Sequence, residues 1–156
     1  MLLKILVVSD SHGDFSSLRQ IHAREKPLDL LVHLGDGVLD ALLLQKMTGV
    51  RVEAVNGNND PRGAFPEELC CKLEDTVIYL SHGYTLHVRA GLQQLVRAAR
   101  RAKANLALFG HTHQPQLVRK KELTLFNPGA ACRWEHSSYA VLEIEGGNFK
   151  IQSRRL

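Results

Sequence analysis

The chain has 156 residues, 44% of them hydrophobic and 23% charged, ordinary globular usage that excludes a disordered or fibrous protein. Lys and Arg number 20 against 16 Asp and Glu, and the net charge of +4 is too small to argue for nucleic-acid binding by itself. Three cysteines, two of them adjacent at Cys70 and Cys71, make no disulfide framework and fit a reducing cytoplasm.

The apolar start is interrupted by Lys4 and closed by Asp10, so it does not read as a signal peptide. No apolar run nears the roughly 18 residues of a membrane span. Leu3–Val8 instead predicts a strand buried on both faces. Asp14 is placed to cap a helix with Phe15, Leu18 and Ile21 on its apolar face. Residues 30–34 predict a second strand, 38–47 a second helix and 51–55 a third strand. This alternation argues for an α/β domain with a largely parallel sheet. Residues 69–73 and 76–80 predict strands joined by a tight turn at Glu74-Asp75. Residues 91–102 predict a helix with Leu92, Leu95 and Val96 as its stripe and Arg97, Arg100 and Arg101 on the solvated side. A buried strand over 106–109 follows, then two hairpins: 116–118 with 123–126, and 139–144 with 149–152. No repeat or linker interrupts the chain, so residues 1–156 read as one domain, parallel early and antiparallel late.

The polar clusters fall at strand ends. Asp10 and His12 follow the first strand, Asp36 the second, and Asn58, Asn59 and Asp60 the third. His82 follows a later strand, and His111 and His113 follow the 106–109 run. In α/β sheets ligands bind beyond the carboxyl ends of the strands. Carboxylate, carboxamide and imidazole together suit borderline divalent metals, and the absence of thiols argues against a structural zinc site. Asp10, His12, Asp36, Asn58, His82, His111 and His113 exceed the needs of one ion. They suit a pair roughly 3.5–4 Å apart, where a bridging water becomes hydroxide and phosphate oxygens are clamped for in-line attack.

The blocks Asp10-Ser11-His12, Gly35-Asp36, Gly57-Asn58-Asn59-Asp60, His82-Gly83 and Gly110-His111-Thr112-His113, in that order, resemble the calcineurin-like metallophosphoesterases. Asn127-Pro128-Gly129 in the tail fits the same pattern, and the short chain is similar to the YfcE-type phosphodiesterase branch. The resemblance implies a two-sheet β-sandwich flanked by helices, with a dinuclear metal site at the strand C-terminal ends. It implies that Asp10, His12 and His113 hold one ion, that Asp36 bridges, and that Asn58, His82 and His111 hold the other. Two divalent ions are expected, Mn²⁺ before Ni²⁺, Zn²⁺, Fe²⁺ or Co²⁺. The implied activity is hydrolysis of phosphate esters, diesters before monoesters, by a metal-bridging hydroxide. The expected partner is a small phosphorylated substrate; nucleic acid enters only as substrate, no membrane is involved, and self-association is left open. The alternatives are a phosphomonoesterase or nucleotidase, or a non-catalytic scaffold like the retromer subunit of the same fold. The complete set of ligand positions favours the enzyme.

Two departures from the family pattern matter. Asn59 stands where the family usually has a histidine that contacts the phosphate and can protonate the leaving group. Asparagine can donate a hydrogen bond but cannot relay a proton, so Asn59 is a candidate catalytic residue for orienting the phosphoryl group only. The arginine that follows Gly-Asp in the Ser/Thr protein phosphatases is absent from Val38-Leu39-Asp40-Ala41. Among the other histidines, His33 either supports a ligand or packs in the core. His22, His87 and His136 read as surface or structural. Trp134, Glu135 and His136 are candidates for the mouth of the site.

Overall fold

The computed structural model describes residues 1–156. Two sheets form. The first is built from β1 (Leu3–Val8), β2 (Leu30–His33), β3 (Val52–Ala54), β9 (Ser138–Glu145) and β10 (Asn148–Arg155), in the order β10-β9-β1-β2-β3. The second holds β4 (Glu68–Leu73), β5 (Thr76–Ser81), β6 (Leu106–Leu108), β7 (Pro115–Lys120) and β8 (Leu123–Pro128), in the order β4-β5-β6-β8-β7. Helices α1 (Phe15–Glu25) and α2 (Val38–Thr48) link strands of the first sheet, and α3 (Gln93–Arg101) links β5 to β6 in the second. This is the α/β two-sheet sandwich with flanking helices.

The period-2 alternation of strand side chains fixes the layers. From β1, Ile5 and Val7 join Leu80, Leu106, Leu108 and Phe126 in a cluster between the sheets, while Leu6 and Val8 pack with Leu18, Ile21 and Leu44 of the first two helices. On the far side, Tyr79, Ala107 and Leu125 pack under Leu95, Val96 and Ala99 of α3. The central strands of both sheets are therefore covered on both faces, which is why they read as unbroken apolar runs. Truncating a core leucine to alanine in such layers costs about 2–5 kcal/mol. No helix is long and apolar enough to cross a membrane.

Local chemistry sets the helix ends. Asp14 caps α1, accepting from Ser17 N at 3.2 Å, and its carboxylate also accepts from Arg133 N at 2.9 Å. Burial would raise the Asp14 carboxyl, but these bonds and the Arg133 charge bring it below the ordinary range. Arg97 and Arg100 are exposed on α3, opposite its packed stripe.

One expectation needs correcting. The late strands are not simply antiparallel, because β5, β6 and β8 run parallel. A hairpin pattern does not say which of its strands lies inside. Here β8 carries Leu123, Leu125 and Phe126, all buried, and inserts beside β6. Its partner β7, with Gln116, Arg119 and Lys120 exposed, takes the edge, where charge discourages further pairing.

Candidate metal centre

The two carboxylates lie at the bottom of the site. Asp10 is fully buried and Asp36 is 2% exposed. His12, His111 and His113 stand half-buried above them, while His82 is buried. Ligand atoms of Asp10, His12 and His113 fall within 4.8 Å of one another, and so do those of Asp36, His82 and His111. Each triad draws from both sheets. Asp10, His12 and Asp36 follow β1 and β2, whereas His82, His111 and His113 follow β5 and β6.

The two triads interlock. His82 Nε2 lies 3.1 Å from Asp10 Oδ1 and 3.4 Å from Asp36 Oδ2. His113 Nε2 lies 3.2 Å from Asp10 Oδ1 and 3.2 Å from His12 Nε2. Two imidazole nitrogens facing one another over a carboxylate oxygen form the donor set of a shared cation. The Nδ1 atom of His82 is buried without a hydrogen-bond partner, so the ring is turned to aim Nε2 at the two acids.

The chain bends sharply to present these groups. Asp10, His12, Asp36, His111 and His113 all have positive φ, between 48° and 71°. Non-glycine residues rarely adopt that region, and strain of this kind, about 1–3 kcal/mol each, collects at functional sites. Close approach also demands glycine at two places. A side chain at Gly57 would collide with the Asp36 carboxylate, and one at Gly110 with Ser9 Oγ and Asp10.

Electrostatics follows the geometry. Burial would raise the Asp10 carboxyl, but hydrogen bonds from His113, His12 and His82 hold it well below the usual carboxylate range. The same carboxylate raises His12 and His113. His111 moves the other way, lowered by burial and by the neighbouring His82 charge.

A second layer fixes the ligands, and most of it gave no sequence signal. Asp60 accepts hydrogen bonds from four backbone amides: Asp36 N and Gly57 N at 2.7 Å, Gly37 N at 2.8 Å and Val38 N at 3.1 Å. It thereby caps α2 from a distant loop, since Gly37 offers no side chain to do so. His33 supports rather than ligates. It is fully buried and lowered from its ordinary pKa by burial. Gly35 N donates to its Nδ1 at 3.1 Å, its Nε2 lies 2.9 Å from Ser11 Oγ, and Ser11 Oγ donates to Asp40 Oδ2 at 2.6 Å. This ties the Asp10–His12 turn to the Asp36 turn. Asn127, fully buried, donates to Gly110 O at 3.0 Å and Thr112 Oγ1 at 3.1 Å, holding the turn with His111 and His113. Glu135 reaches His113 Nδ1 at 3.7 Å. His22, His87 and His136 join neither triad.

The two asparagines differ. Asn58 is exposed and lines a cavity beside His82. Asn59, also exposed, donates from its backbone N to Asp36 Oδ1 at 2.8 Å and from its side-chain Nδ2 to Asp36 Oδ2 at 3.0 Å, a contact the sequence did not announce.

A family model for the calcineurin-like phosphoesterase superfamily domain matches residues 3–147. The chain belongs to that superfamily. A probable metallophosphoesterase of Bacillus subtilis, YsnB, is 30% identical over 151 residues, covering 92% of this chain and 85% of the relative. The crystal structure of a protein of Streptococcus pneumoniae TIGR4, predicted to be a phosphoesterase, superposes with a TM-score of 0.84 at 28% identity over 99% of this chain and 90% of that one. Vacuolar Protein Sorting 29 of Cryptosporidium parvum shares the fold, with a TM-score of 0.80 at 18% identity over 99% of this chain and 98% of that one. This calcineurin-like phosphoesterase is a metal-dependent enzyme of phosphate-ester hydrolysis.

Proposed function

We propose that this phosphoesterase is a dinuclear phosphodiesterase of small phosphorylated substrates. The observation that carries the reading is the pair of interlocked Asp/His triads, each with one carboxylate and two imidazoles. Asp10, His12 and His113 would hold one ion, and Asp36, His82, His111 and the exposed Asn58 the other, with Asp36 shared between them. Manganese suits a mixed oxygen–imidazole set of this kind. When bound, such a pair supplies Lewis-acid charge and lowers the pKa of water. The chain's own residues orient and hold: Asp60 and Asn59 fix Asp36, and the His33–Ser11–Asp40 chain fixes the turns on either side. The three free cysteines accord with a reducing cytoplasm. The scaffold reading draws on fold likeness to Vacuolar Protein Sorting 29 alone, whereas here six candidate ligands converge. The test is metal analysis of the purified protein, followed by hydrolysis of bis(p-nitrophenyl) phosphate and p-nitrophenyl phosphate with added Mn²⁺. Metal-independent turnover, or no turnover of either ester, would overturn the reading.

Proton competition gives a pH prediction. In the metal-free protein His12 and His113 keep their protons to higher pH than in the unfolded chain. Their contribution to stability is complete below the ordinary imidazole pKa and is lost as pH rises through the elevated values. Metal needs those same lone pairs, so its affinity should climb as pH rises through the ordinary imidazole range and on through the elevated values, and then level off. Titration calorimetry with Mn²⁺ across that range checks the slope; a flat profile would contradict it.

Asn59 supplies a second prediction. With no proton to relay, the wild-type protein should hydrolyse nitrophenyl esters much faster than alkyl esters. Asn59→His should raise kcat/KM for the alkyl ester selectively, by up to about 10²–10⁴-fold, the range of general acid catalysis. Equal changes for both leaving groups would remove position 59 from proton transfer.

A further inference from the structure

Beside the second triad lies a cavity of about 460 Å³, within the range of small-ligand sites. His82 and Asn58 form the wall it shares with the metal centre, and Tyr84, Arg62 and Phe65 line it further out. Tyr84 follows directly on His82-Gly83 in a short 3₁₀ turn, Tyr84–Leu86. Gly83 sits at φ +101°, with no room for a side chain against Val88, so the turn that aims the ring is fixed. The Tyr84 ring stands edge-on to His111, centroids 5.6 Å apart at 74°, and is 52% exposed. The opposite wall is equally set. Asn56 Nδ2 donates to Pro61 O at 2.8 Å, Phe65 N donates to Asn56 Oδ1 at 3.1 Å, and Asn56 N donates to Pro66 O at 2.8 Å. Arg62 on this loop is exposed and makes no ion pair, although Asp60 and Glu67 line the same cavity.

We propose that this cavity is a nucleoside subsite, so that the natural substrate is a nucleotide ester. The phosphoryl group lies on the metal pair, and the base stacks on Tyr84 with the Arg62 guanidinium beside it. Aromatic rings and guanidinium planes are the two side-chain surfaces that accept any base without reading its edge. The preformed walls lower the ordering cost of binding. The inference rests on the metal pair of the proposed function and adds to it the chemical class of the group next to the phosphate.

The experiment is calorimetric titration of the Mn²⁺-loaded protein with adenosine 5′-monophosphate and with methyl phosphate, for the wild type, Tyr84→Ala, Tyr84→Phe and Arg62→Ala. Stacking on one aromatic ring is worth about tenfold or more in affinity. The nucleotide should therefore bind the wild type at least about tenfold more tightly than methyl phosphate. Tyr84→Ala should erase most of that ratio, Tyr84→Phe should keep it, and Arg62→Ala should reduce it. Tyr84 is exposed, so the thermal unfolding midpoint should not move. Equal affinity of the wild type for the two ligands, or equal loss in the Ala and Phe variants, overturns the subsite. Hydrolysis of methyl p-nitrophenyl phosphate, which has no base, reports on the metal centre alone. Its absence would sink the proposed function, whereas its persistence beside equal ligand affinities would sink only the nucleoside subsite.

Discussion

Asp36→Asn should strip metal from the protein and lower kcat/KM by well over 100-fold, since even residues one step removed from a metal typically cost about 10- to 100-fold. The carboxylate is buried between the two triads, 3.4 Å from His82 Nε2 and 3.9 Å from His12 Nε2. Both of its oxygens are already used as acceptors by Asn59. An amide would remove the charge that the proposed pair of cations would share and turn an NH₂ group toward donors on one side. The backbone around it is anchored independently: Asp10 N donates to Gly35 O and His12 N to Asp36 O, both at 2.9 Å. Circular dichroism should therefore stay native while metal per chain falls to half or less. A variant with wild-type metal content and rate would show that Asp36 is not shared.

The second large effect is expected at Asp60, which belongs to neither triad. Asp60→Asn leaves one acceptor oxygen where two served four amides. Its NH₂ would face backbone N–H groups with nothing to give them. Unpaired donors in a partly buried site cost about 1–3 kcal/mol each, and the N-terminus of α2 loses its negative charge as well. We expect Mn²⁺ affinity to drop about 10- to 100-fold, with a thermal midpoint lower by several degrees. The paired measurements are calorimetric metal affinity and unfolding of the metal-free protein. Unchanged metal affinity in a destabilised variant would confine Asp60 to capping α2.

Much of this was readable in the residues, for physical reasons. Strands buried on both faces are continuous apolar runs, so β1, β2 and β6 stood out. Carboxylates and imidazoles placed after such runs must collect at one rim, so all six charged or imidazole candidate ligands were found. What the sequence hid were long-range choices among equivalent partners. Nothing in residues 115–128 says that β8 and not β7 lies beside β6; burial of Phe126 against the other sheet and of Leu125 under α3 decides it. Nothing in Gly57-Asn58-Asn59-Asp60 says that the last acid caps a helix 22 residues earlier, because capping signals are read within a few residues of the cap. His33 had two readings, and only its bonds to Gly35 and Ser11 separate ligand support from core packing.

The site joins residues that are far apart in the chain: His113 meets His12 across 101 residues, and His82 of one triad meets Asp10 of the other across 72. The first half of the chain carries the acids and the second half most of the imidazoles, and they meet only where the open ends of the two sheets come together. A bound ion at this seam is a cross-link between chain halves that no disulfide supplies. It favours the docked state by mass action, because an unfolded chain offers no such site. Loops of this length close late and slowly. Competence to bind metal is thus a property of the finished molecule, gained in one step with the docking of the sheets, and a fragment ending before β6 would carry both acids and no activity.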